Sequence, residues 1–233
     1  MAEALLAITA LEKRFGGLAV ADGITLDVLA GELHAVIGPN GAGKTSLVNL
    51  IAGVLAPDGG AIHFAGQDIT RLSVPARARL GLSRSFQITA LVPSFSVREN
   101  VALAAQRHGD GGEDAALEQV GLASRATLRA ENLSHGEKRA LELAMALAQR
   151  PKLLLLDEPL AGAGPEESAR IVALLRSLKG QYPMLLIEHD MDAVFALADR
   201  ISVLVQGRVV ASGSPEKIRA DHAVRQAYLG EEG

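Results

Sequence analysis

A glycine-rich loop between a short apolar strand and a helix constrains this 233-residue chain most strongly. Residues 33–37 read LHAVI, residues 38–46 read GPNGAGKTS, and an apolar helical period begins at about Lys44. The loop fits G-x-x-x-x-G-K-[ST], in which backbone N–H groups and the start of the helix surround phosphate oxygens. A glycine-rich turn that binds nothing is the alternative, and the flanking strand and helix disfavour it. The expected phosphate-site residues are Gly38, Asn40, Gly41, Ala42, Gly43, Lys44, Thr45 and Ser46.

Two acidic residues at the end of a second apolar strand complete this interpretation. In KLLLLDEP, residues 152–159, Asp157 and Glu158 end the strand, at the edge where α/β sheets place their ligand sites. We expect this strand to neighbour the strand of the loop. Lys44 then reaches the β- and γ-phosphates, Thr45 and Asp157 hold Mg²⁺, and Glu158 orients a water molecule. The alternative is that the two acids only cap the following turn.

Composition excludes several other classes of protein. A net charge of −4 and a pI near 5.9 argue against a broad nucleic-acid-binding face. The absence of cysteine excludes disulfide frameworks, zinc knuckles and thiol nucleophiles. The N-terminal residues do not resemble a signal peptide, and no apolar run approaches the ~20 residues of a spanning helix. We therefore expect a soluble chain that is able to dock on a membrane partner.

The order of the patterns predicts an α/β fold. Residues 4–8 and 24–28 are typical of short strands, and residues 61–69 of an extended segment. Residues 72–150 show helical periods without strand-like runs, which predicts a helical insertion. From residue 151, apolar strands alternate with helices and end in a hairpin, as in a parallel sheet covered on both faces.

The segment LSHGEKR, residues 133–139, allows three interpretations. Ser134 and Glu137 form the S-x-x-E pattern of a capping box at the start of a helix. The same residues with His135 contain the side-chain types of a serine hydrolase, although neighbours at a helix start point in different directions. The third possibility is one half of a nucleotide site, because free N–H groups at a helix start attract phosphate.

The order GPNGAGKT, SFQ (residues 85–87), LSHGEKR, LLLLDEP and IEHD (residues 187–190) resembles the ATPase subunits of ABC transporters over essentially the whole chain. The resemblance implies a phosphate-loop ATPase core of mainly parallel sheet flanked by helices, with an antiparallel β subdomain and an inserted helical subdomain. The implied division is a single domain with a core of residues 1–88 and 150–233 and a helical subdomain of residues 89–149.

The resemblance also implies roles for individual residues. Ser134, His135, Gly136 and Glu137 would form the signature segment, which contacts ATP held by the partner of a head-to-tail dimer. Gln87 would report Mg²⁺ occupancy, His189 would contact the γ-phosphate and the attacking water, and Phe15 would stack on adenine. Taken alone, these three residues are more typical of a surface amide, a strand-end cap and a core side chain, respectively.

The implied partners are a second ATPase subunit, identical or similar, two transmembrane permease subunits and, indirectly, an extracytoplasmic solute-binding protein, but no nucleic acid. The implied location is the cytoplasmic face of the inner membrane. The segments RLGLSRSFQ, EPLAGAGPEE and the tail GSPEKIRADHAVRQAYLGE are most similar to importers of branched-chain amino acids, amides or urea. Because YLGE also ends the ATPase of the lipopolysaccharide exporter, that protein is the alternative, followed by a non-transport ABC ATPase.

Other rival classes lack supporting features. DNA or ribosome factors with related ATPase heads usually carry coiled-coil insertions or two fused heads, and a small-molecule kinase would need an acceptor lid and no signature. This chain also departs from the family pattern. His135 replaces a glycine, Glu137 a glutamine and Gly164 an acidic or amide residue, and residues 88–132 are short for the segment expected to receive the membrane subunits.

Overall fold

The computed structural model describes residues 4–85, 91–106, 112–221 and 224. In these ranges the chain forms ten strands, eight α-helices and two 3-10 turns at Ala123–Arg125 and Ala130–Asn132. The strands are β1 (Ala4–Phe15), β2 (Leu18–Leu29), β3 (Leu33–Ile37), β4 (Gly59–Phe64), β5 (Gln67–Asp68), β6 (Leu82–Ser85), β7 (Leu153–Asp157), β8 (Met184–Ile187), β9 (Arg200–Val205) and β10 (Arg208–Gly213). The helices are α1 (Lys44–Ala52), α2 (Val74–Leu80), α3 (Val97–Ala105), α4 (Glu113–Gln119), α5 (His135–Ala148), α6 (Pro165–Leu178), α7 (Met191–Leu197) and α8 (Pro215–Ala220).

The strands form two sheets. The first is antiparallel, in the order β2-β1-β4-β5, and the second has the order β10-β9-β3-β8-β7-β6. In the second sheet β9, β3, β8, β7 and β6 are parallel, and β10 joins β9 as an antiparallel edge strand. This confirms the predicted α/β class, with a mainly parallel sheet and a separate antiparallel sheet.

The antiparallel strands are longer than the sequence suggested. The strands expected at residues 4–8 and 24–28 each extend to 12 residues. Bulges interrupt their pairing, for example between Ile8 and Leu11, so the alternation of buried residues changes phase. The expected extended segment at residues 61–69 is a hairpin, and its two turn residues, Ala65 and Gly66, have φ of 50° and 77°.

Two expectations about the parallel sheet were wrong. Residues 72–150 do contain a strand, β6, which pairs only with β7 at the edge of the sheet. Its sequence, LSRS, alternates apolar and polar residues too briefly to be recognised as a strand. The strand ending in Asp157 is also not the neighbour of β3, because β8 lies between β3 and β7. Strand order depends on tertiary packing, which the periodicity of single segments does not report.

The remaining elements agree with the sequence analysis. Helix α1 begins at Lys44 and ends before Gly53, whose φ is 82°. Helices α3, α4 and α5 occupy the region expected to be helical, and β9 and β10 form the expected hairpin. The division into a core and a helical subdomain at residues 89–149 stays a prediction.

Helix α1 lies between the two sheets. Its buried side chains, including Leu47 and Ile51, belong to one apolar cluster with Leu6 of β1 and Leu155 of β7. A second cluster covers the opposite face of the parallel sheet with residues of α3 to α7. Because both faces of β3, β7 and β8 are buried, all their side chains are apolar apart from His34 and the terminal Asp157. In the described part of the chain, no helix combines the length and apolar character needed to cross a bilayer.

Candidate functional site

The glycine-rich loop is held tightly between β2 and the end of β9. A Cβ atom on Gly38 would lie 2.1 Å from the Leu204 carbonyl oxygen, and one on Gly43 would lie 2.3 Å from the Val20 carbonyl oxygen. Gly43 also has a φ of 103°, which L side chains rarely adopt. These two positions therefore require glycine, which fixes the path of the loop into α1.

The first turn of α1 is arranged to receive an anion. Gly43 is its N-cap, no side chain caps the helix, and no acidic residue lies in its first turn. The helix start therefore offers N–H groups and the positive end of the helix dipole. Asn40, Gly41 and Thr45 are exposed at this surface, Ser46 is half-buried, and Ala42 is buried.

Lys44 is buried and lies across the loop. Its ammonium group donates to the carbonyl oxygens of Gly38, at 2.6 Å, and Pro39, at 3.1 Å. Burial lowers the pKa of Lys44, and the negative charges of Glu158, Asp157 and Glu188 oppose that shift. The lysine is therefore held beside the acidic residues, and a phosphate would compete with two carbonyl oxygens for it.

Asp157 is buried at the end of β7 and paired with Arg84. The Arg84 guanidinium donates to Asp157 Oδ2 at 2.7 Å and to Asn49 Oδ1 of α1 at 2.7 Å. Burial raises the pKa of Asp157, while the positive charge of Arg84 opposes this. The pair links β6, β7 and α1. Sequence reasoning missed Arg84, whose partners lie 35 and 73 residues away.

Glu158 adopts an unusual backbone conformation. Its φ is 50°, a region that non-glycine residues rarely occupy, and its N–H donates to the Ile187 carbonyl oxygen at 2.9 Å. The bond to β8 and the turn redirect the chain directly after the strand, which leaves the Glu158 side chain half-buried. Strained conformations of this kind are concentrated at functional sites.

A third acid that the sequence analysis did not single out, Glu188, follows β8. It is fully buried, with 0% of its surface exposed, and its carboxylate accepts hydrogen bonds from the N–H groups of Leu160, His189 and Asp190. The exposed His189 ring has its Nδ1 3.6 Å from Glu188 Oε2. The next residue, Asp190, is the N-cap of α7, and its side chain accepts from the Ala193 N–H.

The oxygen ligands at this edge of the sheet fit a Mg²⁺ ion that arrives with a nucleotide. Asp157 supplies a carboxylate and Thr45 an exposed hydroxyl, and Mg²⁺ prefers such oxygen ligands together with phosphate and water. Within the described ranges, no group of three His, Asp or Glu side chains could hold a metal by itself. A magnesium ion at this site would therefore depend on the phosphates.

The signature segment, residues 133–137, begins α5. The Ser134 hydroxyl accepts from the Glu137 N–H at 3.3 Å, and Glu137 Oε2 accepts from the Ser134 N–H at 2.9 Å. The predicted capping box is thus present, and these bonds lower the pKa of Glu137. His135 Nδ1 lies 3.3 Å from Glu167 of α6, away from the serine. The geometry therefore excludes the serine-hydrolase alternative.

The predicted site residues fall into separate groups. The phosphate loop, Asp157, Glu158 and His189 lie at the carboxyl edge of the parallel sheet. In the described part of the chain, the polar side-chain contacts of the signature segment remain within it or go to Glu167 of α6 and to Arg125. Phe15 ends β1 with 51% of its surface exposed and the Lys13 ammonium 5.6 Å from its ring centre, so it is not a core side chain. Gln87 lies outside the described residues.

These features define a class: an α/β protein with a phosphate loop and acidic residues at the same sheet edge binds nucleotides. The family model for the ABC transporter matches residues 21–161, and that for the branched-chain amino acid ATP-binding cassette transporter matches residues 208–233.

The chain is 37% identical to the high-affinity branched-chain amino acid transport ATP-binding protein LivG of Escherichia coli (strain K12), over 99% of this chain and 100% of LivG. The corresponding protein BraF of Pseudomonas aeruginosa shows the same identity and coverage. The crystal structure of the ADP conformation of MJ1267, an ATP-binding cassette of an ABC transporter, superposes with a TM-score of 0.88 at 27% identity, over 98% of this chain and 99% of that one. The chain belongs to the ABC transporter family of ATP-binding cassettes and is an ATPase.

Proposed function

We propose that the chain is the ATP-hydrolysing subunit of an importer for branched-chain amino acids or related small polar solutes. The observation that carries this proposal is the convergence of Lys44, Asp157 and Glu158 at one sheet edge, in a chain similar to LivG and BraF over its length. The C-terminal match to the branched-chain amino acid model favours this branch over a lipopolysaccharide exporter.

Nucleotide binding begins at the phosphate loop. The N–H groups of residues 41–46 and the Lys44 ammonium group bind the β- and γ-phosphates, which replace the carbonyl partners of Lys44. Phe15 stacks on adenine with its exposed ring face. Thr45, Asp157 and Gln87 would hold a Mg²⁺ ion, which would neutralise charge at the phosphates.

Hydrolysis is a matter of positioning and charge stabilisation. Glu158 orients the attacking water, and His189 contacts the γ-phosphate and braces the same water. The signature segment of a second subunit approaches the γ-phosphate with Ser134 and the Gly136 N–H. Two ATP molecules are then enclosed between two subunits, identical or similar. Opening after hydrolysis releases the products.

The dimer binds two transmembrane permease subunits at the cytoplasmic face of the inner membrane and drives transport through them. An extracytoplasmic solute-binding protein supplies the solute. The region of Gln87 and the helices of residues 89–149 transmit the closure. Purification in mild detergent tests this assembly. Stable recovery of permease subunits supports it, whereas recovery of the chain alone, or with nucleic acid, contradicts it.

Replacement of the proposed water-orienting group tests the chemistry. Glu158→Gln keeps the size of the side chain and removes its negative charge, so we expect ATP turnover to fall by about 10²-fold or more. MgATP binding should persist, because the phosphate loop is unchanged. The measurement is phosphate release at saturating MgATP beside equilibrium binding of a fluorescent ATP analogue. Sustained hydrolysis by this variant contradicts the role of Glu158.

A further inference from the structure

The buried carboxylate of Glu188 joins two segments that each carry a proposed catalytic residue. Its Oε1 accepts the Leu160 N–H at 2.8 Å, and its Oε2 accepts the N–H groups of His189 at 2.8 Å and Asp190 at 3.3 Å. Leu160 lies two residues after Glu158. One side chain thus ties the loop that follows the acid to the segment that carries the histidine.

The position of β8 explains how one carboxylate reaches both segments. β8 lies between β3, which leads into the phosphate loop, and β7, which ends at Asp157. Asp157 is paired with Ile187 in the parallel register, so Glu188 extends beyond the sheet edge beside Glu158. A fully buried carboxylate is tolerated only where donors satisfy it. In the described ranges, Glu188 forms no ion pair with a lysine or arginine, so backbone N–H groups supply those donors.

The loop of residues 159–161 is also held from its other side. The Arg139 guanidinium, on α5, donates to the carbonyl oxygens of Pro159 and Ala161. Between these two carbonyl groups lies Leu160, whose N–H is bound by Glu188. The loop therefore connects the helix of the signature segment to the segment of His189 through polar contacts, and the Leu160 side chain belongs to the apolar cluster that includes residues of α5 and α7.

We propose that Glu188 is a positioning residue that sets His189 relative to Glu158, with Arg139 holding the intervening loop to the signature helix. The proposal rests on the proposed roles of Glu158 and His189. The Glu188 side chain has none of its surface exposed and acts through the backbone of residues 160, 189 and 190. Its charge also acts on Lys44, but in the described ranges no hydrogen bond or ion pair joins the two side chains, so the larger effect is expected in kcat rather than in the affinity for MgATP.

Glu188→Gln is the direct test, because glutamine keeps the shape but has only one oxygen acceptor. Either the Leu160 N–H or the N–H groups of His189 and Asp190 then lose their partner. We expect kcat to fall by about 10- to 100-fold, since small displacements of catalytic groups have effects of that size. The KM for MgATP should stay within about twofold of wild type.

Glu32→Gln provides a matched control. Glu32 is also a buried carboxylate that accepts a backbone N–H, from Leu29 at 2.7 Å, but it lies before β3 at the opposite edge of the sheet. It also binds Arg200, so its loss should lower the unfolding temperature and leave kcat within about twofold. If Glu32→Gln reduces kcat as much as Glu188→Gln, the effect is a general loss of stability and the proposal is wrong.

The double variant with His189→Ala tests the route of the effect. If Glu188 acts by orienting His189, its replacement should matter less once the imidazole is absent, so the two losses in kcat should not add. Fully additive losses would contradict that route. If Glu188→Gln does not fold, Glu188→Asp retains the charge but shortens the reach, and the same loss of kcat at unchanged KM is expected.

Amide hydrogen exchange separates this proposal from the proposed function. In wild-type protein, the amides of Leu160, His189 and Asp190 should exchange slowly and together, and Glu188→Gln should accelerate all three. If Glu158→Gln and His189→Ala both hydrolyse ATP normally, the proposed roles of Glu158 and His189 fail. Accelerated amide exchange in Glu188→Gln would still show that Glu188 joins the loop of Leu160 to residues 189 and 190. Unchanged exchange together with unchanged kcat in Glu188→Gln overturns the positioning role.

Discussion

The edge of the parallel sheet and the start of α5 satisfy their polar groups in opposite ways. At the sheet edge, Lys44, Asp157 and Glu188 are buried, and Asp157 and Glu188 have partners from distant segments, Arg84 and Leu160. At the start of α5, Ser134 and Glu137 bind each other within one helical turn, and Glu137 also contacts the exposed Arg125. The first region is built by the whole fold of one subunit, whereas the second is a local structure on an accessible surface.

This difference indicates which half of the site has to exchange partners. The helix start already has an internal cap, so a γ-phosphate that bound there, as we propose, would replace the capping contacts with equivalent ones from another molecule. The sheet edge instead needs a fixed arrangement, since charges in a buried site act strongly on one another. We therefore expect substitutions at the sheet edge to affect nucleotide binding and chemistry, and those at the helix start to affect association.

Loss of the phosphate-loop lysine is the largest effect that this comparison predicts. Lys44→Ala should weaken MgATP binding by about 10- to 100-fold, because a charge-assisted hydrogen bond to phosphate contributes about 1.5–3 kcal/mol. Equilibrium titration with a fluorescent ATP analogue measures the change. Lys138→Ala, on the first turns of α5, is the control for a lysine outside the sheet edge and should bind MgATP normally. Unchanged affinity in Lys44→Ala would contradict the assigned phosphate site.

The strand that leads into the phosphate loop, β3, should make the free energy of unfolding depend on pH. His34 of β3 is buried and binds the Asp27 carbonyl oxygen and the Ser202 hydroxyl, each at 2.8 Å. Burial lowers the pKa of His34, with the positive charge of Arg200 acting in the same direction and the carboxylates of Glu32 and Asp27 opposing. The unfolded chain therefore takes up a proton more readily than the folded one.

This contribution to stability is complete above about pH 6.5, the pKa of an unfolded histidine, and is lost as the pH falls below that value. The loss is at most about 1.4 kcal/mol per pH unit. Urea unfolding between pH 7.5 and 5.5 measures it. His34→Asn should flatten the dependence, whereas His63→Asn, at an exposed position of β4, should not. If the unfolding free energy of His34→Asn still depends on pH as in wild type, other groups cause the dependence.

The smallest effect is expected at the unusual signature histidine. His135 is exposed, the polar partner of its ring among the described residues is Glu167 of α6, and the capping contacts of Ser134 and Glu137 do not involve it. His135→Gly should therefore leave ATP turnover within a few-fold of wild type. Steady-state phosphate release at neutral pH checks this. A large loss there would show that this imidazole has a role in the site.

The local parts of the site could be predicted from the sequence. Glycine spacing specified the loop, and the end of an apolar run located Asp157 and Glu158, because both signals depend only on neighbouring residues. The contacts of Arg84 and Glu188 could not be predicted, since their partners come from other strands and from backbone groups far away in the chain.

The same limit applies to the fold. Alternating strands and helices predicted the α/β class, but not that β8 lies between β3 and β7, nor that the short β6 forms the sheet edge. Strand order determines which residues meet, and it is fixed by packing between segments. For that reason the role of Glu188, which directly follows β8, could not be predicted, although it follows an apolar run just as Asp157 ends one.

The most direct test of the account concerns association at the signature segment. With MgATP, Glu158→Gln should sediment as a dimer, because hydrolysis no longer reopens it. Adding Ser134→Arg should leave MgATP affinity within about twofold, since the phosphate loop is intact, yet the double variant should sediment as a monomer. If Glu158→Gln/Ser134→Arg forms the same ATP-dependent dimer as Glu158→Gln, residues 133–137 are only a helix cap and the account of a site shared between two subunits is wrong.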